Sequence, residues 1–279
     1  MKTGRADDRR WSRPTAVCRV PGDHAAMHTT WPDTLWLVRH GQSAGNVARD
    51  AAEAQGLATI DIAFRDIDTP LSDLGREQAA ALGEWFGRLG ADEAPEVILS
   101  SPYVRAADTM KLIVQHGGLG SARLRIDERL REKEFGVLDR LTHHGVRQKH
   151  PELDEQRSHV GKFYFRPPGG ESWCDVILRL RSLLEMVTRE YASRRVLVVA
   201  HQVIVNCMRY LLEQMDERQI LDIDRRGDVP NCSVTSYRAV PGETEDLRLH
   251  LDLVNFIAPL HEAQTPVTTA ADQPGAAKP

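Results

Sequence analysis

Long apolar runs are missing from this chain. Across 279 residues no stretch approaches the ~18 to 20 apolar residues of a membrane helix, and the first residues lack an apolar signal core. No membrane partner is expected, and the reading is of a cytoplasmic protein. Cysteine is scarce as well. Cys18, Cys174, Cys207 and Cys232 stand far apart and form no C-x-x-C pair or Cys/His cluster, which argues against a zinc site or a disulfide framework. Unpaired thiols suit a reducing compartment. Neither sign of charge prevails: 36 Lys and Arg against 40 Asp and Glu leave a formal net charge of −4. That balance gives no support for a nucleic-acid partner, so an anionic ligand must be held by local cations. The 11 histidines include no H-E-x-x-H or comparable spacing, and neither a metal nor any other cofactor is expected.

What is present is a chain 41% hydrophobic, long enough to bury a substantial core in one domain. Residues 1–32 show no helical or strand period and read as a disordered extension, with Met27 marking an alternative start just before the first strand. The tail 259–279 is rich in Ala, Thr and Pro and is likewise not expected to fold, which leaves 33–258 as the domain. Within it strand patterns fall at 34–39 (TLWLVR), 96–99, 123–127, 195–200 (RVLVVA), 233–239 and 247–253. Helical patterns fall at 45–56, 72–89, 102–115, 142–150, 172–191 and 202–214, with Ser72 a cap for the second and Ser101-Pro102 a cap and first position for the third. This alternation predicts an α/β three-layer sandwich, a mostly parallel central sheet flanked by helices, with the last two strands added antiparallel.

Three strands end in a suggestive way. TLWLVR runs into Arg39-His40 followed by Gly41, Ser43, Gly45 and Asn46; EVILSS turns into a helix carrying Arg105; RVLVVA is followed by His201-Gln202. Taken singly, each is more often a surface turn or a satisfied histidine than a site. Together they deliver two imidazoles and two guanidinium groups to the carboxyl edge of one sheet, beside helix N-termini that attract anions. That is the makeup of a phosphate pocket.

The ordered blocks LVRHGQSAGN, PLSDLGREQA, SSPYVRAADT, LREKEFG, PPGGESW and VLVVAHQ resemble the signature segments of the histidine phosphatase superfamily, the phosphoglycerate-mutase-like fold, from 34 to about 240. The resemblance implies that His40 is a nucleophile that becomes phosphohistidine. Arg39, Arg105 and His201 would surround the phosphoryl oxygens, with Asn46 and Ser43 as neutral donors. Glu132 of LREKEFG would be the proton donor, favoured over Glu134 because Gly136 falls at the family's spacing from it. The implied ligand is a small phosphorylated substrate.

Mutases of the family carry a long insertion between the acid and the second histidine; here 201 minus 132 leaves only 69 positions, so a metal-independent phosphatase is expected and a phosphoglycerate-type mutase is the alternative. A non-catalytic phospho-ligand binder would be expected to lose one of the five central residues, and none is lost. KFYFRPPGGESW and the pair Gln202 and Lys162 look most like the bisphosphatase that acts on fructose 2,6-bisphosphate. Gln202 and Lys162 are therefore candidate substrate contacts. Asn206 and His143, however, stand where that subfamily has arginine and tyrosine. Lys149, Arg157 and Arg166 accompany Lys162 in a stretch expected to cross the mouth, and 47–68, with Arg49, Arg65 and Asp66, is an additional segment expected to form a second wall or an oligomer contact.

Overall fold

The computed structural model describes residues 31–241 and 247–269. Six strands form one sheet: β1 (Thr34–Arg39), β2 (Val97–Ser100), β3 (Arg123–Ile126), β4 (Arg195–Ala200), β5 (Val234–Pro241) and β6 (Leu247–Phe256). Their order is β3-β2-β4-β1-β5-β6, with β1, β2, β3 and β4 mutually parallel and β5 and β6 antiparallel at one side. Nine helices among the described residues complete the chain: α1 (Ala44–Ala54), α2 (Asp73–Gly87), α3 (Val104–Gly117), α4 (His143–Lys149), α5 (Pro151–Val160), α6 (Trp173–Glu190), α7 (Gln202–Leu212), α8 (Glu217–Arg226) and α9 (Ala258–Glu262). None is long and apolar enough to cross a membrane.

The sandwich follows from the two-residue period of its strands. Leu35 and Leu37 of β1, with Val196 and Val198 of β4, face one way into a core closed by α6 and α7; Trp36 and Val38, with Leu197 and Val199, face the other way onto α2 and α3. Strands buried on both faces read as continuous apolar runs, which is why TLWLVR and RVLVVA are so readily found. Ser72 caps α2 as expected, accepting from the Gly75 amide at 3.0 Å.

Four expectations change. The third helix begins at Val104 rather than 102, because the Ser101 hydroxyl accepts from the Tyr103 amide at 3.2 Å and is drawn to His201 instead of capping. Helices α5 and α8 were not legible as helices, since PELDEQRSHV and ERQILDIDRR bury little: only Leu153 in the first, and Ile220 and Asp224 in the second. Of the extension expected over 1–32, residues 1–30 lie outside the described residues, but Trp31 already packs against the core.

The fourth change is in the tail, where residues 259–269 are folded onto the body. Leu260 is fully buried in the α2/α3 core, and Gln78 donates to the Pro266 carbonyl at 2.8 Å and to Thr268 at 3.0 Å. Small and polar residues anchored by Pro259, Leu260 and Val267 give no period to detect. Residues 270–279 lie outside the described residues. Leu260→Ala should lower the unfolding free energy by about 2–5 kcal/mol in urea titration. A change below ~0.5 kcal/mol would mean that the tail is not part of the cooperative fold.

Candidate active site

Parallel pairing of β1 with β4 sets Arg39 opposite Ala200, so the residues that follow, His40 and His201, leave the sheet side by side. Their ring centroids lie 5.2 Å apart. The His40 amide donates to the Ala200 carbonyl at 2.9 Å, and Asn231 Nδ2 donates to the His40 carbonyl at 2.9 Å, which ties the backbone from both sides. The next turn presses against the first turn of α2. A Cβ on Gly75 would stand 1.9 Å from the Gln42 carbonyl oxygen, and one on Gly41 would stand 2.4 Å from that of Gly75. Only glycine permits this approach at both positions, and it holds the His40 loop rigid.

The His40 ring has a defined tautomer. Nδ1 lies 2.6 Å from the Gly41 carbonyl oxygen, which can only accept, so Nδ1 carries the proton. Nε2 therefore holds a lone pair, and Arg105 Nε donates to it at 3.3 Å. A neutral imidazole fixed in this way, with a guanidinium at its reactive nitrogen, can attack an electrophilic phosphorus.

Arg105 comes from the first turn of α3, with its guanidinium 4.9 Å over the Tyr103 ring. The two terminal nitrogens of its fork meet Asp66: Nη1 reaches Oδ1 at 2.9 Å and the backbone carbonyl at 2.6 Å, and Nη2 reaches Oδ2 at 3.4 Å. His201, at the head of α7, places Nε2 2.8 Å from the Ser101 hydroxyl and packs edge-on to Tyr103 at 5.1 Å. Arg39 is fully buried, and its Nη1 donates to the Val229 carbonyl at 2.6 Å. Glu132 is also fully buried, and its Oε1 accepts from the Lys133 amide at 2.6 Å.

Ser43 and Asn46 form a reciprocal cap on α1: the Ser43 hydroxyl accepts from the Asn46 amide at 3.1 Å, and Asn46 Oδ1 accepts from the Ser43 amide at 3.0 Å. Both also line a cavity with Arg49, Arg105, Asp66, Phe135 and Arg140. Gln202 is turned elsewhere. Its Nε2 donates to Asp228 at 2.7 Å and so braces the loop that carries Val229 and Asn231. Lys162 lies on the far side of Phe135 from that cavity, paired with Asp224 and 5.4 Å over the Trp173 ring. Of the two expected substrate contacts, Gln202 meets Asp228 and Lys162 meets Asp224, and Lys162 lines a separate cavity from the one that Asn46 lines.

Lys133 and Phe135 are site residues that the sequence reading does not single out. With Arg157 and Lys162, Lys133 lines a second, smaller chamber that shares Phe135 with the first. The Lys133 ammonium lies 4.7 Å over the Phe135 ring, and burial pushes it down to about 8, against the pull of the Glu132 carboxylate. Burial likewise lowers Arg157 and Lys162. A lysine directly after the acid in LREKEFG was the available signal, but a lone lysine in a short loop is normally solvated.

The sequence profile of the histidine phosphatase superfamily (branch 1) matches residues 35–251. A 2,3-bisphosphoglycerate-dependent phosphoglycerate mutase of Sinorhizobium fredii is 30% identical over 201 residues, which covers 71% of this chain and 87% of the mutase. A glucosyl-3-phosphoglycerate phosphatase of Mycobacterium tuberculosis is 30% identical over 232 residues, 80% of this chain and 95% of that one. The solved structure of the mycobacterial glucosyl-3-phosphoglycerate phosphatase with VO3 superposes with a TM-score of 0.62 at 29% identity, covering 80% of this chain and 99% of that chain.

Proposed function

The chain belongs to the histidine phosphatase superfamily, and from that premise we propose that it hydrolyses a small phosphomonoester through a phosphohistidine on His40, without a metal. The observation that carries this reading is the His40 ring, with Nδ1 held by the Gly41 carbonyl and Nε2 facing Arg105. In the first half-reaction Nε2 attacks phosphorus, the P–O ester bond breaks, and the leaving alkoxide takes the proton of the Glu132 carboxyl. Like charge on an adjacent phosphate dianion favours the protonated carboxyl that this step requires. In the second, the Glu132 carboxylate accepts a proton from water, whose oxygen attacks phosphorus as the P–N bond breaks. Inorganic phosphate leaves and the acid is restored.

Charge on the transferring phosphoryl group is met by Arg105, Arg39 and His201, gathered at one sheet edge where fixed donors need no reorganisation. These cations take the place that a metal ion fills in other phosphatases. Asn46 and Ser43 complete the wall on the α1 side. Two buried thiols, Cys207 and Cys232, and the half-buried Cys174 are all unpaired, consistent with work in a reducing cytosol.

The second chamber bears on the substrate. Lys133, Arg157 and Lys162 bring three cations to one small cavity, and Lys133 directly follows Glu132. In this reading Lys162 and its neighbours receive a second anionic group of the substrate. The phosphoglycerate mutase relatives favour the alternative, transfer to a second hydroxyl instead of water. One experiment separates these outcomes: turnover of p-nitrophenyl phosphate, fructose 2,6-bisphosphate, the phosphoglycerates and simple alkyl phosphates, in EDTA. Metal-free phosphate release is expected, with doubly anionic esters preferred and that preference cut about tenfold or more by Lys162→Ala. Isomerised phosphoglycerate without free phosphate would assign a mutase instead. Activity abolished by EDTA and restored by a divalent ion would overturn the metal-free route.

A further inference from the structure

The site is shut. His40, Glu132 and His201 are fully buried and the Arg105 side chain is 4% exposed, so no phosphate ester can reach Nε2 until something moves. What covers the pocket is the additional segment between α1 and α2. Ile60, Ile62, Phe64 and Asp66 form one wall of the cavity in front of Arg105.

The segment is fastened at both ends. At its start, the Ile60 amide donates to the Arg140 carbonyl at 2.9 Å and the Thr142 amide to the Ala58 carbonyl at 3.1 Å; at its end, Ala44 donates to Pro70 and Ser72 to Gln42, both at 2.9 Å. Between these anchors the contacts thin out. Phe64 is 45% and Ile67 37% exposed, so residues 61–68 bury little of their apolar surface. Beyond the Asp66 contacts, the Phe64 carbonyl accepts from Arg140 Nη2 at 2.8 Å. A stretch with fixed ends and a sparsely buried middle is of the kind that opens at low cost.

We propose that Asp66 is a gate: its carboxylate sits on the Arg105 fork in place of the substrate phosphoryl group, and residues 61–68 swing off the pocket when a phosphate dianion displaces it. The inference rests on the phosphatase reading for its consequence in turnover, but the contact itself can be tested by binding alone. A guanidinium fork matches carboxylate and phosphate oxygens equally well, so the two compete for the same donors. The dianion prevails because His201, Arg39 and Asn46 add to its hold, whereas Asp66 is ion-paired with Arg105 alone among the described residues. Crowding of negative charge works in the same direction. Burial, and after it the Asp66 carboxylate, raises both Glu134 and Asp139, so an arriving dianion meets three acids unless the strap departs. Asp66 thereby sets which anions can enter and how tightly, acting through Arg105 without touching the reacting atoms.

The test is calorimetric titration with inorganic phosphate, alongside steady-state kinetics on p-nitrophenyl phosphate, for wild type, Asp66→Asn, Asp66→Ala and Asp61→Asn. Asp61 lies exposed in the same strap and controls for loss of a loop charge. Both Asp66 variants should bind phosphate about tenfold or more tightly and lower KM to match, with kcat within about threefold of wild type; Asp61→Asn should change neither beyond about twofold. Phosphate affinity unchanged or weakened in both Asp66 variants overturns the gate. A fall in kcat with KM unchanged also overturns it and would make Asp66 a residue that aligns Arg105 for the reaction. If phosphate binds more tightly to the Asp66 variants but no ester is hydrolysed by any form, the gate stands and the hydrolase reading falls.

Discussion

His40→Ala is expected to lower kcat by at least ~10^4-fold on every ester, because the lost imidazole carries the covalent intermediate and no neighbour has an equivalent nitrogen. His201, the other imidazole of the pocket, is committed through Nε2 to Ser101. The substitution also orphans two buried groups, the Gly41 carbonyl and Arg105 Nε, at a cost of about 1–3 kcal/mol. That loss is small beside the catalytic one and should leave the circular dichroism spectrum unchanged. Phosphate should still bind, since Arg39, Arg105 and His201 remain. Residual turnover within tenfold of wild type would show that His40 is not the nucleophile.

The second large effect is Glu132→Gln, and it should depend on the leaving group. An alkoxide leaves with difficulty unless it is protonated as the P–O bond breaks, so alkyl phosphates should slow by about 10^2 to 10^3-fold. For p-nitrophenyl phosphate, whose phenolate scarcely needs a proton, loss in the first half-reaction should stay within about tenfold, read as the burst of p-nitrophenol. Glutamine keeps the shape of this fully buried side chain and can still accept the 2.6 Å bond from the Lys133 amide, so the fold is spared. Equal loss with both leaving groups would remove Glu132 from the proton-transfer role. A larger loss in Glu134→Gln than in Glu132→Gln would assign the role to its neighbour.

Much of this site could be read before the fold was known, and the reason is register. When two buried strands pair in parallel and each ends in a histidine, the sheet brings those histidines together whatever the surface does, and β1 and β4 do this with Arg39 opposite Ala200. The apolar runs that identify such strands are the strongest period in the chain. Ser101 shows the limit of that kind of reading. Its position before a proline marks a helix cap, yet the hydroxyl serves His201, a partner 100 positions away that no local pattern reveals. Gln202 and Lys162 are named by likeness to a bisphosphatase, but their partners Asp228 and Asp224, 26 and 62 positions away, are beyond any local pattern. Helices α5 and α8 escaped notice because they bury so little, and the meeting of Asp66 with Arg105 depends on how an irregular segment crosses the pocket, which no periodicity encodes. The same holds for Pro259 and Leu260, buried anchors in a tail of disordered composition.

The central claim is that the phosphoryl group passes through His40, and rapid acid-free quenching of turnover followed by intact and peptide mass spectrometry tests it most directly. With wild type and the best ester from the substrate panel, the account predicts a phosphoenzyme stable in base and labile in acid, with the added mass on the peptide that contains His40 and absent from His40→Ala. Phosphate release that continues in His40→Ala, or a phosphoryl group trapped on any other residue, would contradict it.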